Sequence, residues 1–190
     1  MQQHTPDEHA AFLAGLPRAF SAASALVTDT AGRVLLVRCH NRAHYGPPGG
    51  VVEADESPAR AAERELQEEV GLVLPAGRLL VVSWITGDGT TPTQMPGSQL
   101  VFDMGTVPAG TGVTLQPEEV VEAVWAQPAD LLPLMGPLRA ERIRAALDAR
   151  DGGEVRVVTS TRAELNADTE RFAAGAASRG ERAPAGPGTP

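Results

Sequence analysis

The sequence contains no lysine, so all 16 of its basic residues are arginine, and 24 acidic residues give it a formal net charge of −8. This charge argues against the broad basic surface that a nucleic-acid polymer requires, but it leaves room for a site that binds one nucleotide. Arginine without lysine, together with abundant alanine, glycine and proline, indicates the coding bias of a GC-rich bacterial genome. We therefore draw no chemical conclusion from the missing lysine.

Cysteine and long apolar runs are also scarce. Cys39 is the only cysteine, which excludes an internal disulfide and favours a reducing compartment. The N-terminal segment MQQHTPDEHAAFLAGLPRAF has neither the basic start nor the long apolar run of a signal peptide. No stretch approaches the roughly 20 apolar residues of a membrane span. We therefore expect a cytoplasmic protein with no membrane partner.

Strand-like and helix-like segments alternate along the 190 residues, which predicts a mixed sheet flanked by helices. Strands are predicted at 21–29, 33–39, 79–86, 98–105, 120–126 and 154–160, and helices at 5–17, 58–70, 128–134, 137–150 and 160–176. Between the first strand pair and the helix at 58–70, residues 41–50 are too rich in glycine and proline for anything but a loop.

These segments divide the chain into four parts. Residues 1–19 form a helical extension, in which Thr5 precedes the first helix as its cap, and residues 20–150 form the main domain. Residues 151–175 add a short strand and a helix, and residues 176–190 have the composition of a disordered tail.

The helix at 58–70 has clear ends. Ser57 and Pro58 supply a cap and a proline in the first turn, and Gly71 supplies the left-handed residue that commonly ends a helix. Its apolar stripe, which we expect to face the core, consists of Ala59, Ala62, Leu66 and Val70.

Three glutamates crowd the last turns of this helix. Glu65, Glu68 and Glu69 lie three and four residues apart, where like charges repel, and they lie near the negative end of the helix dipole. A glutamate-rich helix face is commonly just a solvated surface. Clustered carboxylates are also the hard oxygen ligands that Mg²⁺ or Mn²⁺ prefers, and such an ion would remove the repulsion. We therefore predict a metal site here.

The segment GVVEADESPARAAERELQEEVGL, residues 50–72, resembles the signature of the Nudix hydrolase family. That signature is glycine, five residues, glutamate, seven residues, Arg-Glu, an aliphatic residue, any residue, Glu-Glu, any residue, glycine and an aliphatic residue. The residues at its specified positions are Gly50, Glu56, Arg64, Glu65, Leu66, Glu68, Glu69, Gly71 and Leu72. The resemblance extends over about residues 20–150 and implies an α/β/α sandwich with a mixed sheet between helices.

The resemblance also assigns roles to residues of this segment. It implies that Glu65, Glu68 and Glu69 bind Mg²⁺, or Mn²⁺, with Glu68 and Glu69 also catalytic. Arg64 would be a catalytic residue that orients these carboxylates through hydrogen bonds, unless it forms only a surface ion pair. The structural residues of the motif would be Gly50, Glu56 and Gly71. Gly49, which precedes the motif, would be a further metal ligand, because a glycine lets the backbone approach the ion or phosphate closely.

The general base is expected either within the motif or on a loop that follows it. The segment QPEEVVEAVW offers Glu118, Glu119 and Glu122. We select Glu119 as the additional ligand or base, with simple solvent exposure as the alternative. Glu53, which precedes the helix, lies either near the metal or on an exposed strand.

Residues outside the motif would select the substrate. We select Tyr45, Arg38 and Gln99 as substrate-binding residues, because a tyrosine can stack on a base and an arginine can meet a phosphate. Further candidates are Arg42, Trp84, Phe102 and the loop at 87–97, although core packing explains at least two of Trp84, Phe102 and Trp125 equally well. His40 and His44 are spaced as a metal-binding histidine pair could be, which we consider the weaker interpretation.

The function implied is metal-dependent hydrolysis of the diphosphate bond of a nucleoside diphosphate derivative, either an ADP-ribose-like nucleotide sugar or a nucleoside triphosphate. The alternative is a catalytically inactive module of the same fold that senses a nucleotide, although such modules usually lose motif glutamates. An isomerase acting on a prenyl diphosphate is disfavoured by the intact motif. A homodimer is common in the family, so the segment after residue 160 either packs on its own domain or is exchanged between subunits.

Overall fold

A computed structural model of the chain describes residues 5–16, 18–87, 89, 91 and 94–178. Its helices are α1 (Pro6–Ala14), α2 (Pro58–Val70), α3 (Leu131–Met135), α4 (Pro137–Gly152) and α5 (Arg162–Ser178), with a 3-10 helix at Pro128–Asp130 before α3. Its strands are β1 (Phe20–Asp29), β2 (Val34–Cys39), β3 (Gly49–Val51), β4 (Leu79–Thr86), β5 (Gly97–Val107), β6 (Val120–Ala126) and β7 (Arg156–Thr161).

The seven strands form one mixed sheet in the order β6-β2-β1-β5-β4-β7, with β3 paired to β1. The β1–β5 and β4–β7 pairs are parallel, whereas the β1–β2, β2–β6 and β4–β5 pairs are antiparallel. Leu66 and Val70 of α2 pack on one face of the sheet, and Ile143 of α4 packs on the other. The predicted α/β/α sandwich with a mixed sheet is therefore confirmed.

The local signals for helices are also found in the structure. Thr5 caps α1 in a reciprocal arrangement with Glu8. Ser57 caps α2 by accepting the backbone N–H of Arg60, and Gly71 ends the same helix with a φ of 73°. These ends depend on residues adjacent in the chain, which is why the sequence predicts them.

The prediction of a loop at 41–50 is wrong for its last two residues. Gly49 and Gly50 belong to β3, where they pair with Ser24 and Ala23 of β1. Glycine lowers the propensity for a strand, but here it lets β3 lie against β1 where a side chain would collide. The strand brings the backbone of both glycines to the carboxylates of α2.

The apolar stripe predicted on α2 also needs correction. Ala62, Leu66 and Val70 are fully buried, but Ala59 is only partly buried, and Ala61 takes its place in the core. Ala61 and Ala62 pack together against Ala23 of β1, because small side chains let the first turns of the helix approach the sheet closely.

The segment predicted as a C-terminal extension lies against the same sheet. β7 pairs with β4 over Arg156–Thr161, and α5 is joined to α4 by an ion pair of 2.8 Å between Arg139 and Asp168. None of the helices in the described part of the chain is long and apolar enough to cross a membrane. The tail predicted at 176–190 lies mostly outside the described residues.

Candidate metal and catalytic site

Glu69 is a carboxylate inside the protein core. Its side chain is 1% exposed, because it lies on the face of α2 that packs toward β3 and the end of β2. Its Oε2 accepts a hydrogen bond of 2.8 Å from the backbone N–H of Gly49, and the thiol of Cys39 donates to Oε1 over 3.6 Å. Burial raises the pKa of Glu69 to about 7, against the opposing effect of the bond from Gly49.

Glu119 comes from the other side of the site. Among the described residues, its carboxylate, that of Glu69 and the thiol of Cys39 form a group whose ligand atoms all lie within 4.8 Å of one another. The structure thus brings the predicted Glu119 to the buried glutamate of the motif. Neither Glu118 nor Glu122 belongs to this group, although both lie nearby in the sequence.

Cys39 is the residue of this group that the sequence did not single out. It ends β2 and faces α2, and no local motif signals this contact across 30 residues of chain. Burial raises the pKa of its thiol to about 11, so the thiol remains protonated at neutral pH. Cys39 therefore donates a hydrogen bond to Glu69.

Arg64 donates hydrogen bonds to several groups on the outer side of α2. Its guanidinium binds Glu56 through two hydrogen bonds of 2.8 and 3.2 Å, and it donates bonds of 2.9 Å to Glu65 and to Glu68. A further bond of 3.3 Å reaches the carbonyl of Val51 in β3. One side chain thus links three carboxylates and the strand opposite, which is the arrangement that an orienting residue requires.

The three motif glutamates have different partners in the structure. Glu65 and Glu68 bind the guanidinium of Arg64, because opposite charge attracts them to that side of α2, whereas Glu69 enters the core. Gly50 packs directly under Glu65, since a Cβ there would lie 2.7 Å from the carboxyl carbon. The glycine therefore makes room for the carboxylate that follows it along the motif.

The charge and donor set of this site suit a divalent cation. Glu65 and Glu119 both raise the pKa of Glu69 by repulsion, and Arg42 is the cation that opposes them. Burial also raises the pKa of Glu65, so carboxylates here are poorly solvated as anions. Hard oxygen donors with excess negative charge and a protonated thiol fit Mg²⁺ or Mn²⁺ better than a thiophilic metal.

Two of the predicted substrate-binding residues contact the same glutamate of β6. The hydroxyl of Tyr45 donates a bond of 2.6 Å to Glu122, and Arg38 donates to the same carboxylate over 3.2 Å. The guanidinium carbon of Arg38 lies 5.8 Å from the centre of the tyrosine ring. The tyrosine is thus positioned by two partners and packs partly against the core.

The other predicted substrate residues are dispersed. Gln99 lies in β5, paired with Ser83 of β4, whereas Tyr45 bonds to Glu122 of β6 at the edge of the sheet. Trp84 is 42% exposed, whereas Phe102 and Trp125 pack against the core, in agreement with core packing for two of the three aromatics. The loop at 87–97 lies partly outside the described residues. Glu53 is exposed in the turn that follows β3.

The two histidines do not form a metal-binding pair. The Nε2 of His40 lies 2.9 Å from the carbonyl oxygen of Pro117, whereas His44 is buried with its ring edge against Phe172 of α5. Neither histidine belongs to the ligand group found among the described residues.

His44 will make the protein less stable as the pH falls. Burial lowers its pKa from 6.5 to about 4, and repulsion from Arg139 adds to this effect. Between these two pH values the histidine is therefore protonated in the unfolded chain and neutral in the folded chain. The contribution of this residue to the free energy of unfolding will therefore decrease between pH 6.5 and pH 4, by at most about 3 kcal/mol, while the raised pKa of Glu69 contributes with the opposite sign. Urea denaturation of the wild type and of His44→Gln at several pH values isolates the histidine: the difference in stability between the two proteins will change as the pH falls, in favour of the variant. The exposed control His9→Gln will follow the wild type; equal pH dependence in all three proteins would contradict the assignment.

Comparison with known proteins connects these contacts to a family. Residues 18–147 match the family model described as the NUDIX domain. The chain is 32% identical over 117 residues to a MutT-like protein of Streptomyces ambofaciens, an alignment that covers 62% of this chain and 70% of the relative. A MutT protein from Methanosarcina mazei Go1 shares the fold with a TM-score of 0.57 and 23% identity, covering 73% of this chain and 98% of the other. An ADP-ribose pyrophosphatase from Streptococcus suis also shares the fold, with a TM-score of 0.55 and 21% identity. The match covers 75% of this chain and 100% of the other.

Proposed function

Because the chain belongs to the NUDIX family and is a Nudix hydrolase, we propose that it cleaves the diphosphate bond of a nucleoside diphosphate derivative in a reaction that requires a divalent metal. The proposal extends to Mg²⁺ as the ion, with Mn²⁺ as a substitute, and to the cytoplasm of a bacterium as the place of action. The proposed binding partner is a small nucleotide and not a nucleic-acid polymer.

The buried carboxylate of Glu69 is the observation that carries this proposal. A carboxylate that is 1% exposed and lies near two further carboxylates is costly to the fold. Such an arrangement is explained by a cation that binds in the functional state. Glu69 and Glu119 would hold the ion with Glu65 and Glu68, and the backbone of Gly49 would complete the set.

A divalent ion in this position supplies two effects, since it polarises the phosphoryl oxygens and lowers the pKa of an attacking water. The protein's own side chains supply orientation and proton transfer. Arg64 fixes the directions of Glu65 and Glu68 through its hydrogen bonds, and the N–H of Gly49 fixes Glu69. Glu119 is exposed at the mouth of the site, where its carboxylate can accept the proton of the attacking water.

The substrate class proposed is an ADP-ribose-like nucleotide sugar or a nucleoside triphosphate. The solved relative from Streptococcus suis is described as an ADP-ribose pyrophosphatase, which supports the nucleotide sugar. Tyr45 and Arg38 contact each other, and an aromatic ring under a guanidinium would offer a surface for a base and a charge for a phosphate. The products would be AMP and ribose 5-phosphate from ADP-ribose, or a monophosphate and pyrophosphate from a triphosphate.

Hydrolysis assays on several classes of substrate, in which the products are identified, test the proposal. Nucleoside triphosphates, ADP-ribose, dinucleoside polyphosphates and nucleotide sugars are incubated with the protein, each with Mg²⁺ and with EDTA. We expect turnover of at least one class only when Mg²⁺ is present. Glu119→Gln will reduce it by roughly 10²- to 10⁴-fold if the carboxylate is the general base, whereas the neighbouring Glu118→Gln will leave it unchanged.

Three outcomes contradict parts of this proposal. If none of the tested substrates is hydrolysed but a nucleotide binds tightly, the chain is a sensor of the same fold. If turnover persists in EDTA, the role given to the metal is wrong. Equal activity of the Glu119→Gln and Glu118→Gln proteins would remove only the assignment of the base.

A further inference from the structure

A cavity lined by none of the glutamates of the candidate metal site lies between α4 and the outer strands β4 and β7. Its volume is about 260 Å³, and its polar lining includes Ser83, Glu141, Arg142 and Ser160. Half of the lining is residues 157–160 of β7, which lie beyond the part of the chain that matches the NUDIX domain. The cavity is therefore built partly by this chain's own C-terminal segment.

Two residues that line this cavity each have a buried polar atom without a partner. The Oγ of Ser160, in a residue that is 8% exposed, and the Nε of Arg142 have no hydrogen-bond partner within the described part of the chain. Arg139, one helical turn earlier, is instead fully engaged, with bonds of 2.8 Å to Asp168 and 2.6 Å to Thr169. A guanidinium in an enclosed site without an anion is costly, so Arg142 lacks the partner that Arg139 has.

The guanidinium of Arg142 has no ion-pair partner among the described residues. Burial, together with repulsion from Arg139, lowers the pKa of Arg142 to about 10. Asp168 is already bound to Arg139, and Glu141 lines the cavity without forming an ion pair with Arg142. An anion that entered the cavity would therefore restore a favourable environment for the guanidinium of Arg142.

A third unpartnered atom lies on the same side of the sheet. Gln99 pairs with Ser83 across β5 and β4, and directly paired residues of adjacent strands point to the same face. Its Oε1 is buried without a hydrogen-bond partner among the described residues. The cavity itself thus offers a cationic donor and hydroxyl groups, and Gln99, which does not line it, adds a buried carbonyl oxygen on the same face of the sheet.

We propose that this cavity binds a small phosphate monoester of a polyol, such as a pentose or hexose phosphate, with Arg142 holding the phosphate and Ser83 and Ser160 the sugar. The volume is smaller than the roughly 300–1,000 Å³ of sites that enclose drug-sized ligands, which favours a sugar phosphate over a whole nucleotide. Glu141, which also lines the cavity, repels polyphosphates but accepts bonds from hydroxyls. The ligand is either a moiety of the substrate or a separate effector, and both present the same chemistry.

Isothermal titration of the full chain in EDTA tests the site without the metal and without turnover. The probes are ribose 5-phosphate, glucose 6-phosphate, ribose and inorganic phosphate. We expect a sugar phosphate to bind and ribose not to bind. Arg142→Met will weaken binding by about 10- to 100-fold, the usual value of a hydrogen-bonded charge, and the exposed Arg144→Met on the same helix will leave it unchanged.

Further variants keep the result interpretable. Ser160→Ala will weaken binding of the sugar phosphate by a smaller factor than Arg142→Met. This variant provides the test if the Arg142→Met protein does not fold. Glu69→Gln will bind the sugar phosphate like the wild type, so this inference and the proposed hydrolysis can fail independently. Absence of binding by both sugar phosphates, or equal binding by the Arg142→Met and wild-type proteins, would overturn the proposal.

Steady-state kinetics then identify the source of the ligand. A sugar phosphate that is a moiety of the substrate will inhibit turnover competitively, and Arg142→Met will raise KM. A separate effector will change kcat without competing with the substrate. Either pattern supports the site, and the two patterns distinguish its role.

Discussion

Glu69→Gln is expected to abolish most of the activity and, at the same time, to stabilise the metal-free protein. Glutamine keeps an oxygen that can accept the N–H of Gly49 but has no charge to bind a cation. Loss of a residue that supports a metal ligand can reduce activity by roughly 100-fold. Loss of the ligand itself should cost at least as much, so kcat/KM will fall by that factor or more.

The gain in stability follows from the position of Glu69. Its pKa of about 7 in the folded protein is above the ordinary 4.5, so stability present below pH 4.5 is lost as the pH rises through 7. At pH 8 the neutral variant avoids this loss, which is worth about 1–3 kcal/mol. Thermal unfolding at pH 8 in EDTA will therefore show a higher Tm for the variant than for the wild type.

The same unfolding measurement with Mg²⁺ provides the control. The metal will raise the Tm of the wild type and of Glu118→Gln, because a ligand that binds only the folded state stabilises it, and it will have little effect on Glu69→Gln. A lower Tm for Glu69→Gln in EDTA, or an equal shift by Mg²⁺ in all three proteins, would show that the carboxylate serves the fold and not a metal.

The parts of the site that could be predicted from the sequence are those built by neighbours in the chain. The spacing within α2 and its caps is local, and Arg64 meets Glu56 only eight residues away. The pattern also identified Glu65 and Glu68, but not that both bind Arg64 while Glu69 enters the core. Rotation around the helix decides this, and periodicity alone does not reveal which carboxylate the core accepts.

The parts that could not be predicted depend on which strands become neighbours. Cys39 meets Glu69 because β2 ends beside α2, and Tyr45 meets Glu122 because β2 pairs with β6. These partners are 30 and 77 residues apart. Likewise, the cavity at Arg142 exists because β7 adds to β4, so a segment without a recognisable motif supplies one wall.

Gly49→Ala is expected to destabilise the protein strongly and to disturb the metal site in the same step. Gly49 has a φ of 153°, which side chains rarely adopt, and an added Cβ would lie 2.7 Å from the Cα and 2.8 Å from the Oγ of Ser24, and closer still to the carbonyl oxygen of Ala23. Two of these three obstacles are backbone atoms of β1, so no change of rotamer relieves them. We expect a loss of about 3 kcal/mol or more in the free energy of unfolding, measured by urea denaturation.

The reason for expecting a functional effect as well is that β3 is the element that fixes Glu69. Displacing β3 from β1 also displaces the N–H that holds Oε2, so activity will fall at temperatures at which the variant is still folded. Gly46→Ala, in the same loop, has open space around its Cβ and an ordinary φ, and it will change the free energy of unfolding by less than about 1 kcal/mol. Similar losses in both variants would show that the loop tolerates no side chains in general, whereas a loss confined to Gly49→Ala would tie the close contact between β3 and β1 to the carboxylate that it positions.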